Sequence, residues 1–214
     1  FTGLQTTMNF QRPTLLLPIL SLAVITLSAC SVAPLTTPTS ARSLGKDNVQ
    51  LSAHIAPATS VSFAAALGEN TDAGVAIEQQ ITINQSIWIK HSLLNQAQGW
   101  SVAGLAGLFS ATDLANSKGF YLGPLFSYSK GKAEWYGNLR YNRVYWDGPD
   151  NLSSEDKDDL WFDIVSDSSV YSYWQADVGM KIHRKRITFN LGATCLELGG
   201  SSACMPIMGA GLTY

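Results

Sequence analysis

Four charged side chains offer the clearest chemistry in this sequence: Glu134, Arg140, Asp177 and Lys181. They fall in two stretches of alternating polarity, EWYGNLRYNRVYW and YWQADVGMKI, and within each stretch they share a phase with Tyr, Asn or Gln. Two carboxylates and two cations brought to one face can pair as an interior salt-bridge network. The same set could instead form a selective pore constriction or the floor of a binding site. Catalysis has little support, because His54, His91 and His183 lie far apart and belong to no recognised motif. A serine near His54 is the one conceivable nucleophile–base arrangement. No metal-ligand spacing is present, since Cys195 and Cys204 lack companion histidines, and no cofactor is implied.

The elements that must position these residues are strands. From Val49 onward, apolar or aromatic residues alternate with Ser, Gly, Asn, Gln and Thr, and no segment has the longer period of an amphipathic helix. About ten strands are predicted, with eight to twelve compatible with the pattern: 49–55, 60–67, 73–79, 86–94, 100–109, 120–129, 133–146, 170–182, 187–196 and 205–214. The connections after the second, fourth, sixth and eighth strands are tight: GENTD, NQAQG, KGK and HRKR. Most of those after odd strands are expected to be longer, including SATDLANSKG and the acidic segment 147–169. That segment places Glu155, Asp156, Asp158, Asp159, Asp163 and Asp167 around Leu160, Trp161 and Phe162. It reads either as a solvated loop or as a lid that attracts cations or a partner.

Charged residues make up only 14% of the 214 residues, against about 25% in soluble domains. A formal charge of -2 gives no reason to expect a nucleic-acid partner. The alternation fits an antiparallel up-and-down β-barrel, and the direction of the apolar phase decides its solvent. A soluble barrel turns that phase inward, whereas a membrane barrel turns it outward. Outward is favoured by the Ser, Gly and Asn of the polar phase and by Trp100, Trp135, Tyr145, Trp146 and Trp174 near strand ends, as an aromatic girdle requires. His91 and Arg143 fall in the apolar phase, which a barrel tolerates only near an interface. The alternative is a soluble lipocalin-like barrel binding an apolar ligand.

The stretch 14–31, TLLLPILSLAVITLSACS, locates the protein. Its apolar run is too short for a stable membrane span and ends in small residues, as a secretory signal does. Leu27-Ser28-Ala29-Cys30 resembles the lipobox of bacterial lipoproteins. That resemblance implies that residues 1–29 are a signal peptide and that Cys30 is acylated to become a membrane anchor. It also implies, since Ser31 and not aspartate follows, an outer-membrane destination. Residues 1–7 fit no signal pattern, and Met8 is the expected start. Residues 30–47, rich in Ser, Thr and Pro, are expected to be a flexible tether, with the barrel occupying 48–214. In an oxidising envelope the two other cysteines, Cys195 and Cys204, are expected to form a disulfide, two free buried thiols being the alternative.

The chain ends on Met208, Ala210, Leu212 and Tyr214, which resembles the C-terminal signal read by the barrel-assembly machinery. The overall resemblance is to small outer-membrane β-barrels of Gram-negative bacteria. The expectation is therefore a transmembrane lipoprotein barrel with a structural or surface-interaction role and no catalytic activity. Its partners would be membrane lipid, through Cys30 and the barrel surface, and the assembly machinery. A narrow pore is a further reading.

Overall fold

A computed structural model describes residues 33–80, 82–112, 116–147, 169–198 and 201–214. The signal peptide, Cys30 and most of the acidic segment lie outside these residues. The described chain forms ten antiparallel strands: β1 (Val49–Ala56), β2 (Thr59–Ala66), β3 (Thr71–Gln79), β4 (Ile83–Leu94), β5 (Gly99–Thr112), β6 (Asn116–Lys130), β7 (Ala133–Asp147), β8 (Ser169–Arg184), β9 (Ile187–Leu198) and β10 (Ser201–Thr213). Each pairs with its neighbour in sequence, and β1 pairs with β10, so the sheet closes as a barrel without edges. All ten predicted strands are present.

The connections differ from the expectation. SATDLANSKG is mostly strand, because β5 and β6 continue pairing as far as Ala111 and Ser117. The β9–β10 connection is likewise short, and the ladder runs up to Leu198 and Ser201. Among the five connections at that rim, only the one between β7 and β8 is long. The reason is local: Thr is a strand former, and Ser pairs readily where it alternates with apolar residues, so the loop-like composition of this stretch does not separate the two uses. The opposite rim, which carries the β6–β7 and β8–β9 turns and both barrel termini, is tight throughout. Left-handed backbone occurs in three of its turns, at Gly99 (φ 98°), Gly131 (φ 63°) and Lys185 (φ 58°).

The apolar phase faces outward. On β4, Ile87 and Ile89 are half exposed while Ser86, Trp88, Lys90 and Ser92 are buried. On neighbouring β5, Leu108 stands opposite Ile87 and is 62% exposed. On β10, Met208, Ala210, Leu212 and Tyr214 point out, while Gly209, Gly211 and Thr213 occupy the inward phase. Outward aromatics form two contact rows. Trp100, Tyr128 and Trp135 pack in series near the tight-turn rim, with centroids 5.2 and 6.1 Å apart. Phe120, Tyr141 and Trp174 form a second series higher up, at 6.5 and 5.4 Å. The two exceptions in the apolar phase sit where charge costs least. His91 lies beside the first residue of β3, 2.9 Å from the Thr71 hydroxyl, and Arg143 stacks over Tyr145 toward the far rim.

The interior is packed. Tyr136 lies across a paired Gly179 and Gly192, where an added Cβ would fall 2.4 Å from the tyrosine hydroxyl. Only glycine at both positions leaves room for that ring. The lumen is also less uniformly polar than Ser, Gly and Asn alone would make it. Leu105, Phe109, Leu125, Val144, Tyr173, Leu196 and Met205 form an inner apolar cluster. Cys195 and Cys204 stand directly opposite each other on β9 and β10 and are joined in a disulfide.

Candidate functional site

The site is the lumen, and its central component is the segment read from sequence as a tether. Over residues 33–44 that expectation is not met, because the chain lies inside the barrel. Ala33, Leu35 and Ala41 are fully buried in the inner cluster. The sequence reads as flexible because it has little to bury, but a narrow lumen needs the same small residues. Pro34 and Pro38 also remove two amide hydrogens that would otherwise need acceptors.

A segment outside any ladder must find partners for its peptide groups, and here barrel side chains supply them. Carboxylates take the amides. Glu78 accepts hydrogen bonds from the Leu35 amide at 2.8 Å and the Thr36 amide at 2.7 Å, and from the Thr36 hydroxyl. Asp72 accepts from the Leu44 amide at 3.1 Å and the Ser43 hydroxyl at 2.7 Å. Cations, amides and a hydroxyl take the carbonyls. Arg140 Nη2 donates to Pro34 O at 2.8 Å, Gln175 to Leu35 O at 3.1 Å, and Gln80 to Ala33 O at 3.1 Å. Lys90 Nζ donates to Ser40 O at 3.1 Å and Arg42 O at 2.6 Å, and Ser92 to Ala41 O at 2.7 Å. The contacts are spread along the whole segment and come from β3, β4, β7 and β8.

The four charges singled out in the sequence all point inward, but they do not form a mutual salt-bridge network. Glu134 and Lys181 are cross-strand partners, as are Asn138 with Asp177 and Arg140 with Gln175. The Glu134 carboxylate is engaged by the Ser40 hydroxyl, by His183 at 2.9 Å and by Arg42 at 4.0 Å. Arg140, 2% exposed, gives its guanidinium to the segment and to the face of Tyr121, 5.1 Å away. Asp177 accepts from Gln175 at 3.1 Å. Lys181 lines a cavity of about 410 Å³ at the tight-turn mouth, together with Arg42, Asp72, Lys90, Glu134 and His183. The internal segment takes two of the four: Arg140 donates to the Pro34 carbonyl, and Glu134 is met by the Ser40 and Arg42 side chains.

Sequence reasoning missed Asp72, Glu78 and Lys90. Asp72 and Lys90 are directly opposed on β3 and β4 and make an ion pair at 2.9 Å, both buried. His54 Nδ1 does lie 3.2 Å from a serine hydroxyl, that of Ser60. Ser60 is buried, however, and bonded by Thr36 of the internal segment, so the pair sits beneath the plug and not open at the rim. Among the described residues no cluster of three or more His, Cys, Asp or Glu could hold a metal.

No family model matches the chain, and no curated protein matches it. Among solved structures it is similar to Ail, the attachment invasion locus protein of Yersinia pestis. The identity is 11% over 79% of this chain and 99% of that one, with a TM-score of 0.40. It is also similar to the outer membrane protein OprG of Pseudomonas aeruginosa, at 14% identity over 81% of this chain and 98% of that one, TM-score 0.36. Both values are low. What this chain does has to be read from its own residues.

Proposed function

We propose that this chain is an integral outer-membrane β-barrel, further anchored by acylation at Cys30, with a structural or surface-interaction role and no catalytic activity. One observation carries the membrane reading: the barrel is inverted relative to a soluble one. Its outward phase is Ile, Leu, Val and Phe bounded by aromatic rows, whereas buried charge is confined to the lumen. From Trp135 in the lower row to Tyr145, the outward aromatic beyond the upper row, is ten residue steps on β7, about 33 Å along the strand, and at a tilt near 40° about 25 Å along the barrel axis. That matches the height of an outer-membrane apolar band. A lipocalin-like barrel needs the apolar phase inside, and this sheet has it outside.

The filled lumen favours a closed barrel over the narrow-pore reading. Conduction would require residues 33–44 to leave, breaking the bonds to Glu78, Asp72, Lys90 and Arg140. Charged and hydroxyl-bearing groups line the 410 Å³ cavity at the tight-turn mouth. The outward Met208, Leu212 and Tyr214 present an alternating strand end that the assembly machinery can bind.

The test is extraction of purified outer membranes containing either the natural chain or Cys30→Ala. Both should resist alkaline carbonate and show heat-modifiable mobility. Release of the variant as a folded soluble domain would refute the membrane barrel.

A further inference from the structure

The cavity of about 410 Å³ at the tight-turn mouth holds more positive charge than the fold uses. Arg42, Lys90, Lys181 and Lys185 line it with two carboxylates, Asp72 and Glu134, so that, leaving His183 aside, two positive charges are in excess. Both carboxylates are already engaged. Asp72 accepts from Lys90, the Ser43 hydroxyl and the Leu44 amide, and Glu134 accepts from the Ser40 hydroxyl and from His183. Lys90 is engaged as well, because its three ammonium hydrogens face three acceptors: Asp72 and the carbonyls of Ser40 and Arg42. The other three cations are placed differently. Lys181 stands directly across the ladder from Glu134, yet among the described residues neither it nor Lys185, in the exposed β8–β9 turn, makes an ion pair. Arg42 reaches the Ser129 hydroxyl at 3.5 Å and Glu134 at 4.0 Å, both at the limit of contact, and its side chain is 30% exposed.

We propose that this cavity binds a small phosphate monoester with a hydroxyl-bearing body, its phosphate held by Arg42, Lys181 and Lys185. A phosphate monoester carries close to two negative charges at neutral pH and so matches the excess of two, whereas a carboxylate balances only one. Arg42 offers a planar fork of donors and the lysines two mobile point charges, a combination suited to the several oxygens of a phosphate. Sites for small organic molecules span about 300–1,000 Å³, and a bare phosphate would leave most of this cavity empty. The body of the ester takes the remainder, with Gln50, Ser62 and Thr213 for its hydroxyls and Leu44 and Trp88 for its apolar face. Arg42 belongs to the internal segment and the two lysines to the β8–β9 hairpin, so the bound ester bridges plug and wall and opposes departure of the segment. Short turns mark the periplasmic side of membrane barrels, so on the membrane reading above the ligand is a periplasmic solute; the pocket itself does not depend on that reading.

Isothermal titration of the purified protein in detergent micelles at low ionic strength, with glucose 6-phosphate as the probe, tests this. Saturable one-to-one binding is expected. Lys181→Gln and Lys185→Asn should each weaken it roughly 10-fold to 100-fold, asparagine being chosen at position 185 because it tolerates the left-handed backbone there. Lys118→Gln, exposed on β6 and opposite Tyr145 toward the far rim, should leave the affinity unchanged. Heat-modifiable mobility shows whether each variant keeps a closed barrel; if Lys181→Gln does not, Lys185→Asn in the exposed turn decides alone. Absence of binding to the natural chain overturns the proposal, as does binding that neither lysine variant weakens. Equal affinity for inorganic phosphate would show that no ester body is recognised, and equal affinity for glucuronate that a single carboxylate suffices; either result overturns the assignment of a phosphate monoester.

Discussion

Replacing Glu78 with alanine should free the internal segment while leaving the barrel closed. Glu78 is 1% exposed, and its carboxylate takes the amides of two successive residues, Leu35 and Thr36. Without it both amides are buried with no acceptor, at about 1–3 kcal/mol each, or about 2–6 kcal/mol for the pair. The Thr36 hydroxyl keeps Ser60 as a partner and adds little. The backbone of Glu78 stays in register with Ser60 and Asn84, so the sheet loses no ladder pairing. Hydrogen exchange in detergent micelles reads the difference directly. At 1.4 kcal/mol per tenfold, protection of the Leu35 and Thr36 amides should fall by roughly 30-fold to 10⁴-fold, with strand amides of β5–β8 unchanged. Unchanged protection at Leu35 and Thr36 would show that Glu78 does not hold the segment. Loss of protection throughout the barrel would show that the segment is part of the fold and not an insert within it.

Lys90→Ala should loosen residues 40–44, because it removes the cation paired with the buried Asp72 carboxylate and the donor to two carbonyls, a loss of about 3–5 kcal/mol; trypsin should then cut after Arg42 faster than in the natural chain. Ile87→Arg puts a cation on the outward belt and should lower unfolding free energy in lipid vesicles by about 2–4 kcal/mol if Ile87 is near the midplane, with a much smaller effect for Arg at position 91, already occupied by a histidine near the rim. Reducing the Cys195–Cys204 bridge, or the double change to serine, should cost about 2–3 kcal/mol for so short a loop, read by urea denaturation against the same protein left oxidised. In planar bilayers the natural chain should not conduct, and deletion of residues 33–44 should produce steady channels; equal silence from both would mean that β-strand side chains alone fill the lumen.

The barrel was legible because its signal is one of phase. Alternation fixes which residues share a face, and closure follows from strand number and the absence of any long helix. The outward direction was legible too, from Trp100, Trp135 and Trp174, whose rings lie on the exposed face. Connection lengths were read less well, since Ser110, Ala111 and Ser117 carry loop-like composition yet pair across β5 and β6, Ser110 with Lys118 and Ala111 with Ser117. Inward charge was found on β7 and β8, where several polar residues share the phase, and missed on β3 and β4. There the cue was present but thin: Asp72 and Glu78 share one phase of TDAGVAIEQ, and Lys90 stands alone among Ser and Trp in the inward phase of β4.

The internal segment could not be read from its own residues, and the reason is physical. A stretch with few large apolar side chains, two prolines and several hydroxyls cannot build a core, and this is why it resembles a linker. Those properties describe what the segment does alone. Inside a barrel the large side chains belong to the wall, so the occupant has to be thin, extended and supplied with partners. The signal for it was therefore in the wall and not in the segment. Asp72, Glu78, Lys90 and Arg140 are buried charges in a chain otherwise short of charge, and buried charge needs a partner. Two of them pair with each other, but Glu78 and Arg140 do not, and each instead binds peptide groups of residues 34–36. Unmatched interior carboxylates and guanidinium groups in a closed barrel thus point to a peptide lying between them, and the chain's own N-terminal segment meets that need.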